Sequence, residues 1–285
     1  MQVALGLLAD RVLGEPPVRP HPVSLFGRVM RAVERGVYRD SRAAGVVHAG
    51  VGLAVGVGAG ALVRSTGVAT YVSVAGRALW DAALSVGEAL DEGDLALARL
   101  RLPALVGRDP SGLDEKELAR ATVESVAENT VDAVVAPALW AAVARAPGAL
   151  GYRAVNTMDA VVGHRSARYE RYGWASARLD DVAGWVPARV TAGLVAVVRP
   201  RAAASVWRAV RDDAPAHPSP NSGVAEAAFA AALGLRLGGE NRYGDRVELR
   251  PPLGDGRPPE PADIEAAVRL SSDVTWALTA LAVAL

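Results

Sequence analysis

From Ala43 to Val63 the chain runs without a charged side chain, between Arg42 and Arg64. At 1.5 Å rise per residue a helix of that length covers about 30 Å, the thickness of bilayer hydrocarbon. Gly52, Gly56 and Gly60 recur at every fourth residue inside the run. A helix puts all three on one face, where a second backbone can approach closely. In water each glycine costs a helix roughly 1 kcal/mol relative to alanine. The run therefore predicts a membrane span rather than a soluble buried helix.

The remaining apolar stretches are weaker. Residues 3–9 are short, 133–144 lie between Asp132 and Arg145, 182–198 contain Arg189, and 274–285 are only twelve residues long. Four to six spans are expected, with no orientation from the positive-inside rule because arginines flank both ends of the clearest one. Hydrophobic residues make up 51% of the chain but aromatics only 5%. That composition suits close helix packing better than a β-sandwich. Residues 85–130 read as helical with a break at Pro103 and Gly107–Gly112, after which Ser111 or Asp114 caps the next helix. Residues 212–223 and 238–262 read as loops, with Arg246 to Arg250 the only short strand candidate. The fold expected is all-α: a polytopic helical membrane protein whose amphipathic helices and Pro/Gly-rich polar loops form the site.

Zero net charge gives no footprint for nucleic acid. The chain has no cysteine, which excludes disulfides, thiolate metal sites and a thiol nucleophile. Its four histidines are well separated, so a metal would be a hard, oxygen-bound ion such as Mg²⁺. No charged leader or small-residue cleavage site marks a secretory signal. Lys116 is the sole lysine, so arginine carries the positive charge. A GC-rich genome produces that bias, and bidentate phosphate recognition uses it.

Several constellations offer chemistry. Glu124, Glu128 and Asp132 stand at i, i+4 and i+8, which places three carboxylates on one helix face and calls for a counter-charge; a solvated face is the bland alternative. Arg153, Asn156 and Asp159 share one side of a helix, for Mg²⁺ binding or for packing. The polar run from His164 to Asp181, with Arg165, Arg168, Tyr169, Arg178, Asp180 and Asp181, suits a phosphate–Mg²⁺ site or an interfacial salt-bridge cluster with an aromatic belt. His217-Pro218-Ser219-Pro220-Asn221, followed by Glu226, is either a pre-organised loop opening a helix near Val224 or an ordinary helix start. Gly238-Gly239 through Asn241 and Tyr243 to Gly256 is a weak phosphate-loop signal. No Walker loop, dinucleotide fingerprint or nucleophile elbow is present.

In order along the chain, these segments resemble the adenosylcobinamide-phosphate synthase family, the CobD/CbiB proteins. The resemblance is carried by Asp10 to Pro16 and Arg19 to Val23, by Gly107 to Leu113, and by Ala121 to Asp132 with Pro137. It continues through Tyr152 to Asp159, Gly173 to Asp181, Trp185 to Arg189, His217 to Gly223, and Gly238 to Gly256. Glu15, where the family usually has Asp, and His164, where it often has lysine, depart from the pattern, and the first apolar segment is short.

The resemblance implies a single integral membrane domain over 1–285, in the cell membrane and multi-pass. It also implies amide formation between a corrinoid carboxylate and aminopropanol phosphate or ethanolamine phosphate, with ATP and Mg²⁺ as activators. On that implication Glu124, Glu128, Asp132, Asp180 and Asp181 are catalytic, and Glu128, Asp132, Asp159 and Asp181 ligate the metal. Arg153, Arg178 and Arg189 clamp phosphate or carboxylate. His21, Asn129, Asn156, Tyr169, His217, Asn221, Asn241 and Tyr243 complete the substrate contacts. Expected partners are the two substrates, the bilayer and other membrane enzymes of late cobalamin assembly. A transporter or sensor of the same fold is the alternative.

Overall fold

The structure, a computed structural model, describes residues 1–284 except Arg165, Gly244 and Asp245; the side chains of Arg242, Tyr243 and Arg246 also lie outside the described set. In chain order the helices are α1 (Gln2–Leu13), α2 (Pro22–Val37), α3 (Arg42–Val63), α4 (Thr66–Ser73), α5 (Gly76–Asp91), α6 (Leu95–Arg101), α7 (Glu115–Thr130), α8 (Ala136–Met158), α9 (Trp174–Val198), α10 (Ala203–Asp212), α11 (Ser222–Leu233) and α12 (Ala262–Ala284). One antiparallel hairpin, β1 (Leu237–Tyr243) with β2 (Arg246–Leu253), precedes α12. The contacts divide the chain into two units: Met1–Ala75, Asp132–Pro187 and Thr279–Leu285 form unit 1, and Gly76–Val131 with Ala188–Leu278 form unit 2.

Unit 1 is organised by the pairing of α3 with α8. Ser41 caps α3 by accepting the Ala44 N–H at 3.2 Å. The glycine face finds the close partner its spacing predicts: Gly52, Gly56 and Gly60 are all buried. A Cβ on Gly56 would stand 2.5 Å from the Ala154 Cβ, and one on Gly60 would stand 2.5 Å from the Ala146 carbonyl oxygen and the Pro147 Cα. Val46, Val47, Val51, Val55 and Leu62 on other faces of α3 are exposed, as a lipid-facing surface requires. Gly60→Leu is expected to cost about 1–3 kcal/mol through overpacking, because the obstacle is backbone. Its thermal midpoint in detergent should fall well below that of Gly58→Leu, where a Cβ meets nothing within 4 Å; equal midpoints would refute this packing account.

Helical geometry fails inside α8 at Ala144 and Arg145 (φ 54°), just ahead of Pro147. Proline lacks an N–H and disfavours helical backbone at the residue before it. Two π-helical turns flank α8, Val131–Val135 before it and Asp159–Gly163 after it. Among the described residues three helical stretches are long and apolar enough to cross a membrane, Arg42–Val63, Glu115–Gly163 and Trp174–Val198, against the four to six spans expected. Residues 3–9 belong to the twelve-residue α1, and 274–284 end a helix that carries Asp263, Glu265, Arg269 and Asp273.

Unit 2 buries Leu118, Val123, Phe229, Leu237, Leu253, Ile264 and Leu270. Asp114, one of the two expected caps, starts α7 with a reciprocal capping box to Glu117. Residues 238–262, expected as a loop, contain most of the hairpin. The sequence of β1, Leu-Gly-Gly-Glu-Asn-Arg-Tyr, has no apolar alternation, so the usual strand signal is absent. The strand candidate at Arg246 to Arg250 forms the first part of β2.

Candidate active site

In unit 1 a carboxylate cluster forms around Asn156. Asp132 sits on the π turn before α8 and Asp159 opens the one after it. A π turn adds a residue to the turn and re-aims the side chains that follow, and such bulges recur at functional sites. The Asn156 Nδ2 donates to Asp132 Oδ2 at 3.3 Å and to Asp180 Oδ1 at 3.5 Å. Arg153 Nη1 donates to Asn156 Oδ1 at 3.2 Å. Because arginine only donates, the amide oxygen faces Arg153 and the NH₂ faces the two carboxylates. The Tyr152 hydroxyl donates to Asp132 Oδ1 at 3.2 Å. Asp159 and Asp181 also act electrostatically on Asp180, while Asp132, Asp10 and Glu15 act on Arg153. Asp132, Asn156, Asp159 and Asp180 are all half-buried. Negative charge exceeds positive here, which suits a bound cation or an ammonium group.

Unit 2 holds a second network. Glu124, 2% exposed, accepts from Arg108 Nη2 at 2.5 Å, Arg120 Nη1 at 3.0 Å and the Gly238 N–H at 2.9 Å. Both arginines also donate to the Asn241 side-chain oxygen, and Arg120 Nη2 donates to the Glu240 carbonyl at 2.7 Å. Glu128 accepts from the Ser222 hydroxyl at 2.6 Å. Glu124 and Glu128 accept from different partners; regular helix stops at Thr130, and Asp132 stands on the π turn that follows.

Beside that network lies a buried His–Glu pair. Glu226 of α11 is fully buried, and neither carboxyl oxygen has a hydrogen-bond partner among the described residues. Arg250 Nη1 is 3.7 Å away and His217 Nε2 3.8 Å. Burial, reinforced by Glu124 and Glu128, pushes the Glu226 carboxyl well above the usual range despite Arg250. Burial also pushes His217 down. Arg250 Nη1 lies 3.1 Å from His217 Nε2 and can only donate, so Nε2 accepts, while Nδ1 lies 3.1 Å from both the N–H and the carbonyl of Ser219.

A raised Glu226 means that the folded chain keeps a proton the unfolded chain releases. Stability present below the ordinary carboxyl value of 4.5 is therefore lost as pH rises toward the folded value. The lowered His217 gives the opposite slope below its ordinary 6.5. Glu226→Gln removes only the first effect. Its thermal midpoint should exceed that of the wild type at about pH 8, with the gap closing toward about pH 5. Parallel curves across that window would show that the carboxyl is not held protonated.

The other expected site residues have local partners. Arg189 Nη1 donates to the Pro220 carbonyl at 2.9 Å and to Asn221 Oδ1 at 3.2 Å, which ties down the His217–Gly223 turn. His21 Nδ1 accepts the Val23 N–H at 3.3 Å as the cap of α2, and Asn129 Nδ2 donates back to the Ser125 carbonyl at 3.0 Å. Arg178 pairs with Asp181 at 3.1 Å on the surface. The Tyr169 hydroxyl donates to Glu34 at 2.9 Å, which also takes Arg168 at 2.8 Å. In that aromatic cluster, burial raises the Tyr172 phenol to about 12. The side chain of Tyr243 lies outside the described residues, as does Arg165.

Arg108, Arg120, Arg250 and Glu34 are not singled out as site residues by the sequence, and Glu226 is noted there only as following the His217–Asn221 turn. Arg120 and Glu124 at i, i+4, and a lone carboxylate in the alanine-rich α11, were the available signals. Of the expected metal ligands, Glu128 belongs to unit 2 and Asp132, Asp159 and Asp181 to unit 1. Among the described residues no group of three or more His, Asp or Glu side chains is arranged to hold a metal ion.

A profile of the CobD/Cbib protein family matches residues 3–271. Relatives named cobalamin biosynthesis protein CobD include one from Mycobacterium tuberculosis (strain ATCC 25618 / H37Rv), 48% identical over 296 residues, with 99% of this chain and 94% of the relative covered. The one from Chromobacterium violaceum is 44% identical, with 98% and 94% covered. The one from Geobacter metallireducens is 40% identical, with 93% and 88% covered. No solved structure matches the chain.

Proposed function

The chain belongs to the CobD/CbiB family, and from that premise we propose that it is an amide-forming ligase of cobalamin biosynthesis. It joins a corrinoid carboxylate to aminopropanol phosphate, or to ethanolamine phosphate, at the membrane. The observation that carries the reading is the Asn156 amide held between Asp132 and Asp180. The three candidate spans support a multi-pass location in the cell membrane, where other late enzymes of the pathway are the natural neighbours.

A carboxylate does not condense with an amine unaided, because its oxygen is a poor leaving group. The carboxylate oxygen attacks the γ-phosphorus of ATP, the bond to the bridging oxygen breaks, and ADP leaves an acyl phosphate behind. The amine then attacks the acyl carbon, the C–N bond forms, the C–O bond breaks, and inorganic phosphate leaves. The amine arrives as an ammonium and must give up its proton. Asp132 or Asp180 accepts it as general base, and the surplus negative charge of the cluster holds the ammonium beforehand. Arg153, oriented through Asn156, faces the phosphate or carboxylate group.

The cluster also fits Mg²⁺, since its donors are hard carboxylate oxygens on half-buried side chains. Mg²⁺ characteristically takes one or two carboxylates and completes its shell with substrate phosphates and water, which accords with a pair rather than a cage. When bound, Mg²⁺ neutralises phosphate charge. The test is ATP-dependent formation of adenosylcobinamide phosphate by the purified chain in detergent. No product under conditions where the protein is folded would end the ligase reading.

A further inference from the structure

Unit 2 carries a cleft of about 700 Å³, within the ~300–1,000 Å³ range of small-molecule sites. The first turns of α7 and the facing ends of the hairpin form much of its wall. Lys116, Arg120, Arg236 and Arg250 line it together with Asp114 and Glu117. The two carboxylates are committed to the capping box: Asp114 Oδ1 accepts the Glu117 N–H, and Glu117 Oε2 accepts the Asp114 N–H, each at 2.9 Å.

The four cations differ in a way that points to a ligand. Arg120 is pinned by Glu124, Asn241 and the Glu240 carbonyl, and Arg250 Nη1 rests on His217. These two are pre-organised at the wall. Lys116 and Arg236 are exposed, and among the described residues neither side chain has a hydrogen-bond or ion-pair partner. The lining sets four cations against the two carboxylates Asp114 and Glu117, and since Arg120 is already paired with Glu124, Lys116 and Arg236 are the charges that an entering anion would answer. A phosphate, with up to two negative charges and three acceptor oxygens, matches several such donors at once; a lone carboxylate leaves most of them unanswered.

We infer that this cleft binds a phosphate-bearing small molecule, with Lys116 and Arg236 closing on a phosphate seated against Arg120 and Arg250. Nucleotide polyphosphate and phosphate monoester share this chemistry. The inference does not depend on which reaction the unit 1 carboxylates perform.

Because Lys116 is the sole lysine, reductive methylation with ¹³C-formaldehyde gives one ε-amine NMR signal besides the N-terminal amine. Methylation keeps the charge. The full chain in detergent is titrated with inorganic phosphate, ATP and aminopropanol phosphate, and with unphosphorylated aminopropanol and sodium chloride at matched ionic strength. Saturable movement of the Lys116 signal is expected with the phosphate-bearing compounds and none with the two controls. Arg236→Ala should weaken the saturation about tenfold, as loss of a charge-assisted hydrogen bond does. Tighter binding of ATP identifies a polyphosphate site, and tighter binding of aminopropanol phosphate a monoester site. No saturable movement with any of the three, or equal movement with sodium chloride, overturns the inference. Binding without ligation would count against the ligase reading alone.

Discussion

Asp180→Asn and Asp132→Asn are each expected to lower the turnover of ligation by about 10³-fold, the middle of the range for losing a general base. Asparagine keeps the shape of aspartate while turning one acceptor oxygen into an NH₂ donor, so the folded chain should persist with a thermal midpoint close to that of the wild type. Because one Asn156 amide joins both carboxylates, they act as a unit, and the double variant should be scarcely slower than either single one. Asn156→Ala, which removes the shared donor and leaves both carboxylates in place, should have a smaller effect. That variant tests positioning: its pH–rate profile should shift, which a purely structural change would not cause. Turnover within a few-fold of wild type in both aspartate variants would remove the cluster from the reaction and leave the family assignment standing.

How much of this was legible in the sequence depends on the kind of interaction. The α3 run was readable because lipid exposure and glycine spacing are both local, and the predicted glycine face is the one packed on α8. Asp114 as a cap was readable for the same reason, since its partner lies three residues away. The Arg153–Asn156 pairing follows from helical spacing and is present. The approach of Asp180 to Asn156 is not written in any local pattern, because it joins residues 24 apart across a turn. Both π turns were illegible, since one extra residue in a turn leaves no compositional trace, and they decide where Asp132 and Asp159 point. The hairpin was hidden by its glycines and prolines. With it went the register that brings Arg250 to His217 and Asn241 to Arg108.

The largest expected loss of stability comes from Glu124→Ala. Sequence spacing alone casts Glu124 as one of three carboxylates on an open face, available for catalysis. In the fold its two oxygens take Arg108, Arg120 and the Gly238 N–H, and Glu124, Arg108 and Arg120 are all buried residues. Removing the carboxylate strands two guanidiniums inside unit 2, and breaking a buried pair in this way costs about 3–5 kcal/mol. Glu124→Gln should recover little of that, because it restores the shape but not the charge. Replacing Glu124, Arg108 and Arg120 together by Leu and Met should recover much of the midpoint, since apolar side chains of similar volume often substitute for a buried ion network without loss. A base at this position behaves differently. If Glu124→Ala keeps its midpoint and its circular dichroism but loses turnover, the carboxylate works on substrate rather than on the fold, and the network account of unit 2 is wrong.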